Sequence, residues 1–173
     1  MALSTRPSRT GSPFTQRPKV ANHRKRCGDW ELDLMTCAKL SSYLITAVDR
    51  RSRYTLIRRV RNKQSGRVME GILKMFEDID PSIIKTMTFD NGNEFYYHRM
   101  LTEQLGVKVY FADPYKSGQR GTNENTNGLI RQFFPKTMTY AMINPQAVRR
   151  VQDLLNDRPR KTHGYKPPSA FIG

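Results

Sequence analysis

The chain has 173 residues, enough for one domain with a buried core, and 37% of them are hydrophobic. Lysine and arginine number 30 against 15 aspartate and glutamate residues, so the net charge is +15 and the pI is near 10.2. This balance favours nucleic acid as the partner over an anionic membrane, because no long basic amphipathic helix is evident. Without a signal core or a bilayer-length apolar run, we expect a cytoplasmic, nucleoid-associated protein with no membrane partner.

The first part of the chain differs in composition from the rest. Residues 1–28 are interrupted by prolines and contain no acidic residue. Their basic residues are Arg6, Arg9, Arg17, Lys19, Arg24, Lys25 and Arg26. We predict a flexible basic arm over 1–28 and a folded domain over 29–173. Two interpretations of the arm stay open: a contact to the DNA backbone, or a linker.

The hydrophobic pattern of the folded part predicts five strands and four helices. The strands are Trp30–Thr36, Tyr43–Val48, Tyr54–Val60, Ile83–Phe89 and Lys108–Phe111. The helices begin at Ser65 as N-cap, near His98, near Thr122 and after Asn144 as cap. Short connections favour an antiparallel meander of the first three strands, followed by two strand–helix crossovers. This order predicts an α/β fold with a mixed five-stranded sheet flanked by helices, the ribonuclease-H-like layout.

Three acidic residues fall where that layout would bring them together. Asp33 lies inside the first strand, Asp90 ends the fourth, and Glu124 lies in the first turn of the helix after Gly121. Taken alone, each has an ordinary explanation. Asp33 could be an ordinary strand residue, Asp90 could stabilise the D-N-G turn, and Glu124 could interact favourably with the helix dipole. Together, in this fold order, they indicate a site. Other carboxylates, such as Asp49, precede turn-like sequence and are assigned structural roles, as is Asp113.

The helix that contains Glu124 is predicted to have two faces. At 100° per residue, Asn127, Gly128 and Arg131 lie on the side of Glu124. The opposite, buried side is predicted to contain Thr126, Leu129, Ile130 and Phe133. Glycine inside a helix is unfavourable by about 1 kcal/mol relative to alanine. Gly128 therefore indicates either a close approach by another backbone or nucleic acid, or simple packing.

Clustered carboxylates suit phosphodiester cleavage, which needs an activated oxygen nucleophile and a stabilised leaving oxygen. Two divalent ions about 3.5–4 Å apart supply both, and Mg²⁺ prefers hard oxygen ligands. We predict two Mg²⁺ or Mn²⁺ ions, with Asp33 bridging both, Asp90 completing one site and Glu124 the other. The two cysteines and three histidines have no zinc-binding spacing, and no small-molecule cofactor is expected.

Five stretches of the sequence resemble one known family. They are G-D-W-E-L-D-L (28–34), V-D-R-R-S-R-Y (48–54), T-F-D-N-G-N-E-F (88–95), F-A-D-P-Y-K-S-G-Q-R-G-T-N-E-N-T-N-G-L-I-R-Q-F-F-P-K (111–136) and N-D-R-P-R-K-T-H-G-Y-K-P-P (156–168). From about residue 24 to its end the chain resembles the integrase core of the insertion-sequence-thirty family of bacterial transposases, which are similar in fold to retroviral integrases. The family's usual gap of 33 residues separates Asp90 from Glu124.

The resemblance implies that 29–173 is a transposase catalytic core with Asp33, Asp90 and Glu124 as its triad. It implies hydrolysis that exposes a 3′-hydroxyl at the element's end, then attack of that hydroxyl on target DNA, by a homo-oligomer on DNA. Three positions depart from the family pattern: Asp29 replaces a common His, Leu32 a Gly, and Gly118 a Trp. Family members begin with helix-turn-helix regions, and nothing before residue 28 is long or periodic enough to be one. We therefore expect a truncated copy or fragment.

Further residues are candidates for contacts to DNA or to the acids. The predicted DNA-binding residues are Arg120, Arg131, Arg158, Arg160 and Lys161, with solvated surface or helix capping as the alternative. The predicted hydrogen-bond partners of the acids are Asn91, Asn123, Asn125 and Asn127. Three functions compete: a metal-dependent transposase core, a truncated DNA-binding remnant that does not transpose, and an ordinary ribonuclease-H-like nuclease. The triad favours an enzyme. The missing helix-turn-helix region favours the truncated DNA-binding remnant.

Overall fold

The structure, a computed structural model, describes residues 11–38, 42–113, 116 and 121–172. The strands are β1 Ser12–Pro13, β2 Asp29–Thr36, β3 Tyr43–Asp49, β4 Thr55–Val60, β5 Thr86–Phe89 and β6 Lys108–Phe111. The helices are α1 Lys19–Asn22, α2 Ser65–Met75, α3 Arg99–Leu105, α4 Gly121–Phe133 and α5 Pro145–Asp157. Within these residues, no helix combines the length and apolarity that crossing a membrane requires.

All six strands belong to one mixed sheet, in the spatial order β1-β6-β5-β2-β3-β4. The β2–β3 and β3–β4 pairs are antiparallel, whereas β5 runs parallel to both β2 and β6. The predicted ribonuclease-H-like α/β layout is therefore confirmed, but the predicted count of five strands is wrong. The sixth strand, β1, pairs in parallel with β6 at the sheet's edge, where a proline such as Pro13 is tolerated.

β1 belongs to a segment that the sequence predicted to be a flexible arm. Arg17 is buried, stacks on the Phe14 ring at 4.1 Å, and donates to Oγ1 of Thr88 at 3.2 Å. Farther along, the backbone oxygen of Ala21 accepts from Nε of Arg50 at 3.0 Å. Part of the segment 11–28, at Arg17 and Ala21, is thus held against the folded domain. Residues 1–10 lie outside the described residues, and a domain boundary at 28/29 stays a prediction.

The sheet separates two hydrophobic cores. The larger core lies under α2 and α3 and contains Trp30, Leu32 and Ile45, all fully buried. The smaller core lies under α4 and α5 and includes Ile130 and Leu155. Because side chains alternate along a strand, the residues between the apolar ones of β2 point to the α4 side. That side becomes polar where Glu31 and Asp33 lie.

Two predicted element starts are wrong by a few residues. Gln64, not Ser65, is the N-cap of α2, and the hydroxyl of Ser65 instead accepts from the backbone N–H of Tyr97 at 2.9 Å. The predicted strand from Ile83 begins later, at Thr86, because Pro81–Ile83 forms a 3-10 turn. The Ser65 hydroxyl is thus engaged by a residue 32 positions farther along the chain, and the 3-10 turn delays the start of β5.

The edge strand β4 is covered by α5 through amide side chains. Asn156 pairs with both backbone groups of Thr55, accepting from its N–H at 2.8 Å and donating to its carbonyl at 2.9 Å. Gln152 accepts from the N–H of Ile57 at 2.9 Å. The helix starts as predicted, with Asn144 as a side-chain cap before Pro145. These amides satisfy edge groups that would otherwise be open to pairing with another chain.

Replacing Asn156 by Leu should destabilise the fold, because the N–H and C=O of Thr55 would remain buried without partners. Leaving two buried backbone groups unsatisfied is expected to lower the free energy of unfolding by about 2–4 kcal/mol. Urea denaturation measures this change. Asp157→Asn, at the exposed next position, is the control and should alter stability by less than about 0.5 kcal/mol. Equal urea midpoints for N156L and the parent would contradict this role of the amide.

Candidate active site

Two of the predicted catalytic residues lie on neighbouring strands. Asp33 is on β2, and Asp90 directly follows β5. These strands run parallel, with Glu31 level with Thr88. Continued by two residues, past the end of β5, that register would bring Asp90 level with Asp33. Asp90 also accepts a hydrogen bond from the N–H of Gly92 at 2.9 Å, so its side chain stabilises the D-N-G turn as well.

α4 is attached to β2 by two contacts, one helical turn apart. Oδ2 of Asp33 accepts from the side-chain amide of Asn127 at 2.7 Å. Oε2 of Glu31 accepts from the backbone N–H of Asn123 at 3.1 Å. Glu124 lies between these contacts in the first turn of the helix, and its side chain is exposed. The sheet therefore fixes the backbone that bears Glu124, while its side chain faces solvent.

The three carboxylates are not gathered into a closed cluster. Across the described residues, no group of three or more His, Cys, Asp or Glu lies close enough to hold a metal ion. The structure brings Asp33 and Asp90 to adjacent strands and Glu124 to the helix that contacts Asp33. The loop just before α4, residues 117–120, lies outside the described residues, and with it the predicted DNA contact Arg120 and the departure at Gly118.

A buried ion pair beside the site was missed by sequence reasoning. Glu31 is fully buried and forms a salt bridge with Arg50, which is itself 5% exposed. Burial lowers the pKa of the Arg50 guanidinium to about 9. The E-L-D spacing was the available signal, because residues two apart in a strand share a face. Glu31 therefore lies on the face of Asp33 and joins β2, the turn after β3 and α4.

The predicted amide partners of the acids have different contacts. Asn127 bonds Asp33 as described, whereas the backbone of Asn123 bonds Glu31. Asn91 donates to the carbonyl of Ala112 at 2.7 Å, which links the ends of β5 and β6. Asn125 is exposed on α4.

The predicted faces of α4 need correction. Thr126 and Ile130 are buried as expected, but Phe133 is 41% exposed. Asn123 is buried and Asn127 bonds Asp33, so the sheet-facing side is polar in the first half of the helix. A Cβ atom at Gly128 would meet nothing within 4 Å, so no close approach explains this glycine in the described structure. A helical-wheel projection assumes one character for each face along the whole helix. It missed this pattern because the strand beneath the helix, β2, changes from polar to apolar along its length.

Two arginines predicted to contact DNA are engaged within the protein. Arg131 donates to the carbonyl of Thr36 at 3.0 Å and so ties the last turn of α4 to the end of β2. Arg160 donates to the carbonyl of Leu155 at 3.1 Å, at the end of α5. Burial also lowers the pKa of Arg160. Arg158 and Lys161, by contrast, have exposed side chains.

The two carboxylates that were assigned structural roles, Asp49 and Asp113, have partners within the protein. Asp49 is buried and accepts from the N–H groups of Gly28 and Ser52, both at 2.7 Å. Burial raises its pKa despite these bonds. Asp113 pairs with Lys116 at 3.2 Å. Both contacts suit the structural roles predicted for these residues.

A basic groove runs along the edge of β4 between α2 and α5, and sequence reasoning did not single it out. Its main cavity has a volume of about 680 Å³, and its lining includes Arg58, Lys74 and Tyr140 together with the acidic Asp78. The adjoining cavity adds Arg61, whose guanidinium lies 4.8 Å from the Tyr140 ring centre. Positive charge beside an aromatic ring is a pattern typical of nucleic-acid surfaces.

A comparison with protein families decides the relationship of this chain. The family model described as "Integrase core domain" matches residues 23–117, which is more than half of the chain. The chain belongs to the integrase core domain family. The resemblance to insertion-sequence-thirty transposases is confirmed as well. The "Transposase InsI for insertion sequence element IS30C" of Escherichia coli (strain K12) is 43% identical over 94% of this chain and 42% of that protein.

Another relative is similar over a comparable part of its length. The "Probable transposase for insertion-like sequence element IS1161" of Streptococcus salivarius is 37% identical over 90% of this chain and 44% of that protein. This integrase core therefore spans less than half of the curated relatives that it matches.

Solved structures share the fold at lower identity. The catalytic core domain of BIV integrase superposes with a TM-score of 0.63 at 18% identity, over 83% of this chain and 91% of that one. A second match is a chain from the cryoEM structure of the simian T-cell lymphotropic virus intasome in complex with PP2A regulatory subunit B56 gamma. It gives a TM-score of 0.69 at 18% identity, over 84% of this chain and 54% of that one. At such identity these neighbours establish the fold of the integrase core.

Removing Arg50 should strongly destabilise this integrase core, because the Glu31 carboxylate would remain buried without its cation. Breaking a buried pair from one side typically lowers stability by about 3–5 kcal/mol. R50M and E31Q should both lower the urea midpoint. The control is R67M, which breaks the exposed Arg67–Glu70 pair at 3.4 Å and should change stability by less than about 1 kcal/mol. Similar midpoints for R50M and R67M would show that the buried pair contributes little.

Proposed function

We propose that this chain is the catalytic core of a DDE transposase, an enzyme named for its two aspartates and one glutamate. It would cleave DNA and join the exposed 3′ end to a target. One observation supports this above all: Asp33 lies on β2 and contacts α4, the helix that contains Glu124, while Asp90 directly follows β5, the parallel neighbour of β2. That contact is the hydrogen bond from Asn127 to Asp33. Membership of the integrase core family and the similarity to insertion-element transposases agree with this reaction.

The donor chemistry of the site fits divalent cations. Divalent metal ions are general in the integrase core family. Asp33, Asp90 and Glu124 offer only carboxylate oxygens, the hard ligands that Mg²⁺ and Mn²⁺ prefer. We propose that the two aspartates and Glu124 hold two such ions, which requires the exposed Glu124 side chain to turn toward the pair. When bound, the ions would activate the attacking oxygen and stabilise the leaving oxygen.

The protein's own groups would prepare that site. Asn127 donates to Asp33 and thereby restricts the rotation of its carboxylate. The pairing of Glu31 with Arg50 and with the N–H of Asn123 would keep the first turn of α4 at a constant distance from β2. Without these contacts, Glu124 would sample a wider range of positions, and binding of the ions would have to order it.

The partners that we propose are the DNA of the element ends and of the target, with several copies of the chain acting together on DNA in the cytoplasm, at the nucleoid. The net charge of +15 supports a polyanionic partner. Arg158 and Lys161 are the proposed phosphate contacts among the predicted residues, because both are exposed. The basic groove beside β4 is a second candidate surface.

Three substitutions test the reaction: D33N, D90N and E124Q. Each should abolish Mg²⁺- or Mn²⁺-dependent nicking and strand transfer on an oligonucleotide that carries the element's terminal repeats, because one cation ligand is lost. DNA binding, measured separately by fluorescence anisotropy, should be retained. In the parent, Mn²⁺ at 100 times its dissociation constant should stabilise the fold by about 2.7 kcal/mol, and the variants should lose most of that effect.

The matched control is E103Q, which removes an exposed carboxylate on α3 and should cut like the parent. If the three site variants also cut like the parent, the assignment of the triad is wrong. A parent protein that binds DNA but never cuts it with either metal would favour the non-transposing remnant.

The proposed DNA contacts have a salt signature. Each phosphate contact contributes about 0.9 to the slope of log K against log salt concentration. The double variant R158A/K161A should therefore make that slope shallower by about 1.8. The comparison is R61A/K74A in the basic groove, measured by anisotropy over the same salt series. If only the groove variant changes the slope, the turn after α5 is not the contact and the groove is the better surface.

A further inference from the structure

Thr46 of β3 lies directly opposite Asp33 of β2 and is fully buried. Its hydroxyl oxygen lies 3.2 Å from Oδ1 of Asn123 and 3.0 Å from Oδ1 of Asn127. These two amides are four residues apart on α4, so they lie above one another on the side facing the sheet. One hydroxyl therefore contacts two successive turns of the helix that contains Glu124.

A hydroxyl has one hydrogen, so Thr46 cannot donate to both amide oxygens. The nitrogen and oxygen of an amide have nearly the same shape, and the hydrogen-bond network decides between the two orientations. For Asn127 the network leaves no choice, because its nitrogen donates to Oδ2 of Asp33 at 2.7 Å. Turning that amide would press its oxygen against a carboxylate oxygen. Thr46 must therefore donate to Asn127.

Asn123 must then present the opposite orientation. As placed, its buried side-chain nitrogen finds no hydrogen-bond partner among the described residues. Buried donors without partners are rare in folded proteins. Turning this amide brings the nitrogen to the Thr46 oxygen, where it donates to the lone pair left by the hydroxyl. All donors then run in one direction: from Asn123 to Thr46, from Thr46 to Asn127, and from Asn127 to Asp33.

We propose that Thr46 is a positioning residue for this site, acting through Asn127 on the Asp33 carboxylate and through both amides on the first turns of α4. The inference rests on the proposed metal-dependent function. Thr46 is neutral and fully buried beside Asp33 on the neighbouring strand, so it can orient the carboxylate through Asn127 without competing for a cation. Side chains that hydrogen-bond a metal ligand directly, as Asn127 does Asp33, typically change metal affinity by about 10–100-fold. Thr46 acts one hydrogen bond farther away, so its effect is expected at the lower end of that range.

The hydrogen-bond chain can be tested on the metal-free protein. T46V keeps the shape of the side chain and removes its hydroxyl, whereas T46S keeps the hydroxyl. By NMR, the side-chain NH₂ of Asn127 should exchange with solvent at least about tenfold faster in T46V than in the parent, and T46S should resemble the parent. An unchanged exchange rate of the Asn127 side-chain NH₂ in T46V would show that the hydrogen-bond chain does not exist, whatever the protein's activity.

The positioning role is tested by titrating Mn²⁺ and following the unfolding temperature. T46V should need about tenfold more Mn²⁺ for half of the maximal rise, and T46S less than about threefold more. In the cleavage assay, T46V should lower kcat while KM for DNA stays the same. T55V, at another buried threonine on β4, is the control and should leave the Mn²⁺ midpoint unchanged.

A merely structural role for Thr46 predicts a different result: T46V would unfold at a lower temperature, with the Mn²⁺ midpoint and kcat unmoved. That result would overturn the positioning role. If the parent itself shows neither a response to Mn²⁺ nor cleavage, the proposed function fails. The exchange experiment then still decides whether the hydrogen-bond chain exists.

Discussion

The alternation of β2 between an apolar and a polar face is the constraint on which the site depends. Trp30 and Leu32 fill the larger core, so Glu31 and Asp33 must point to the opposite side. A buried carboxylate is strongly unfavourable unless it is paired and hydrogen-bonded. Glu31 meets that requirement with Arg50 and with a backbone N–H of α4. The contacts that make its burial tolerable therefore also hold the first turn of α4 against β2.

α4 is held differently at its two ends. Its last turns pack Ile130 into the smaller core, where shape and volume determine the fit. Its first turns meet β2 and β3 through hydrogen bonds, which depend on direction as well as distance. Apolar packing at one end keeps the helix on the sheet, while the polar end sets its rotation. This division leaves the Glu124 carboxylate in solvent and its backbone constrained, which is the arrangement that the proposed role of Glu124 as a cation ligand would need.

Much of the fold could be predicted because most elements have strong local signals, such as the apolar run of β3 and the Asn144 cap of α5. What failed depends on contacts distant in sequence. β1 has two residues and no periodic pattern, and it forms only because β6 offers an edge. Glu31 resembles any strand carboxylate until Arg50 is known to lie beside it. The acids Asp33 and Asp90 were predictable as neighbours because parallel pairing fixes their register, whereas no pattern reports the side-chain direction of Glu124.

Composition alone overstates the charge that is available to DNA. Several arginines in the described structure donate to backbone carbonyls: Arg50 to Ala21, Arg59 to Tyr140 and Ile143, Arg131 to Thr36, and Arg160 to Leu155. Carbonyls at helix ends and turns lack partners within their own element, and the planar guanidinium has several donors with which to satisfy them. These cations belong to the fold. A net charge can therefore indicate a polyanionic partner without indicating which side chains contact it. The proposed DNA contacts have to be sought among the exposed lysines and arginines.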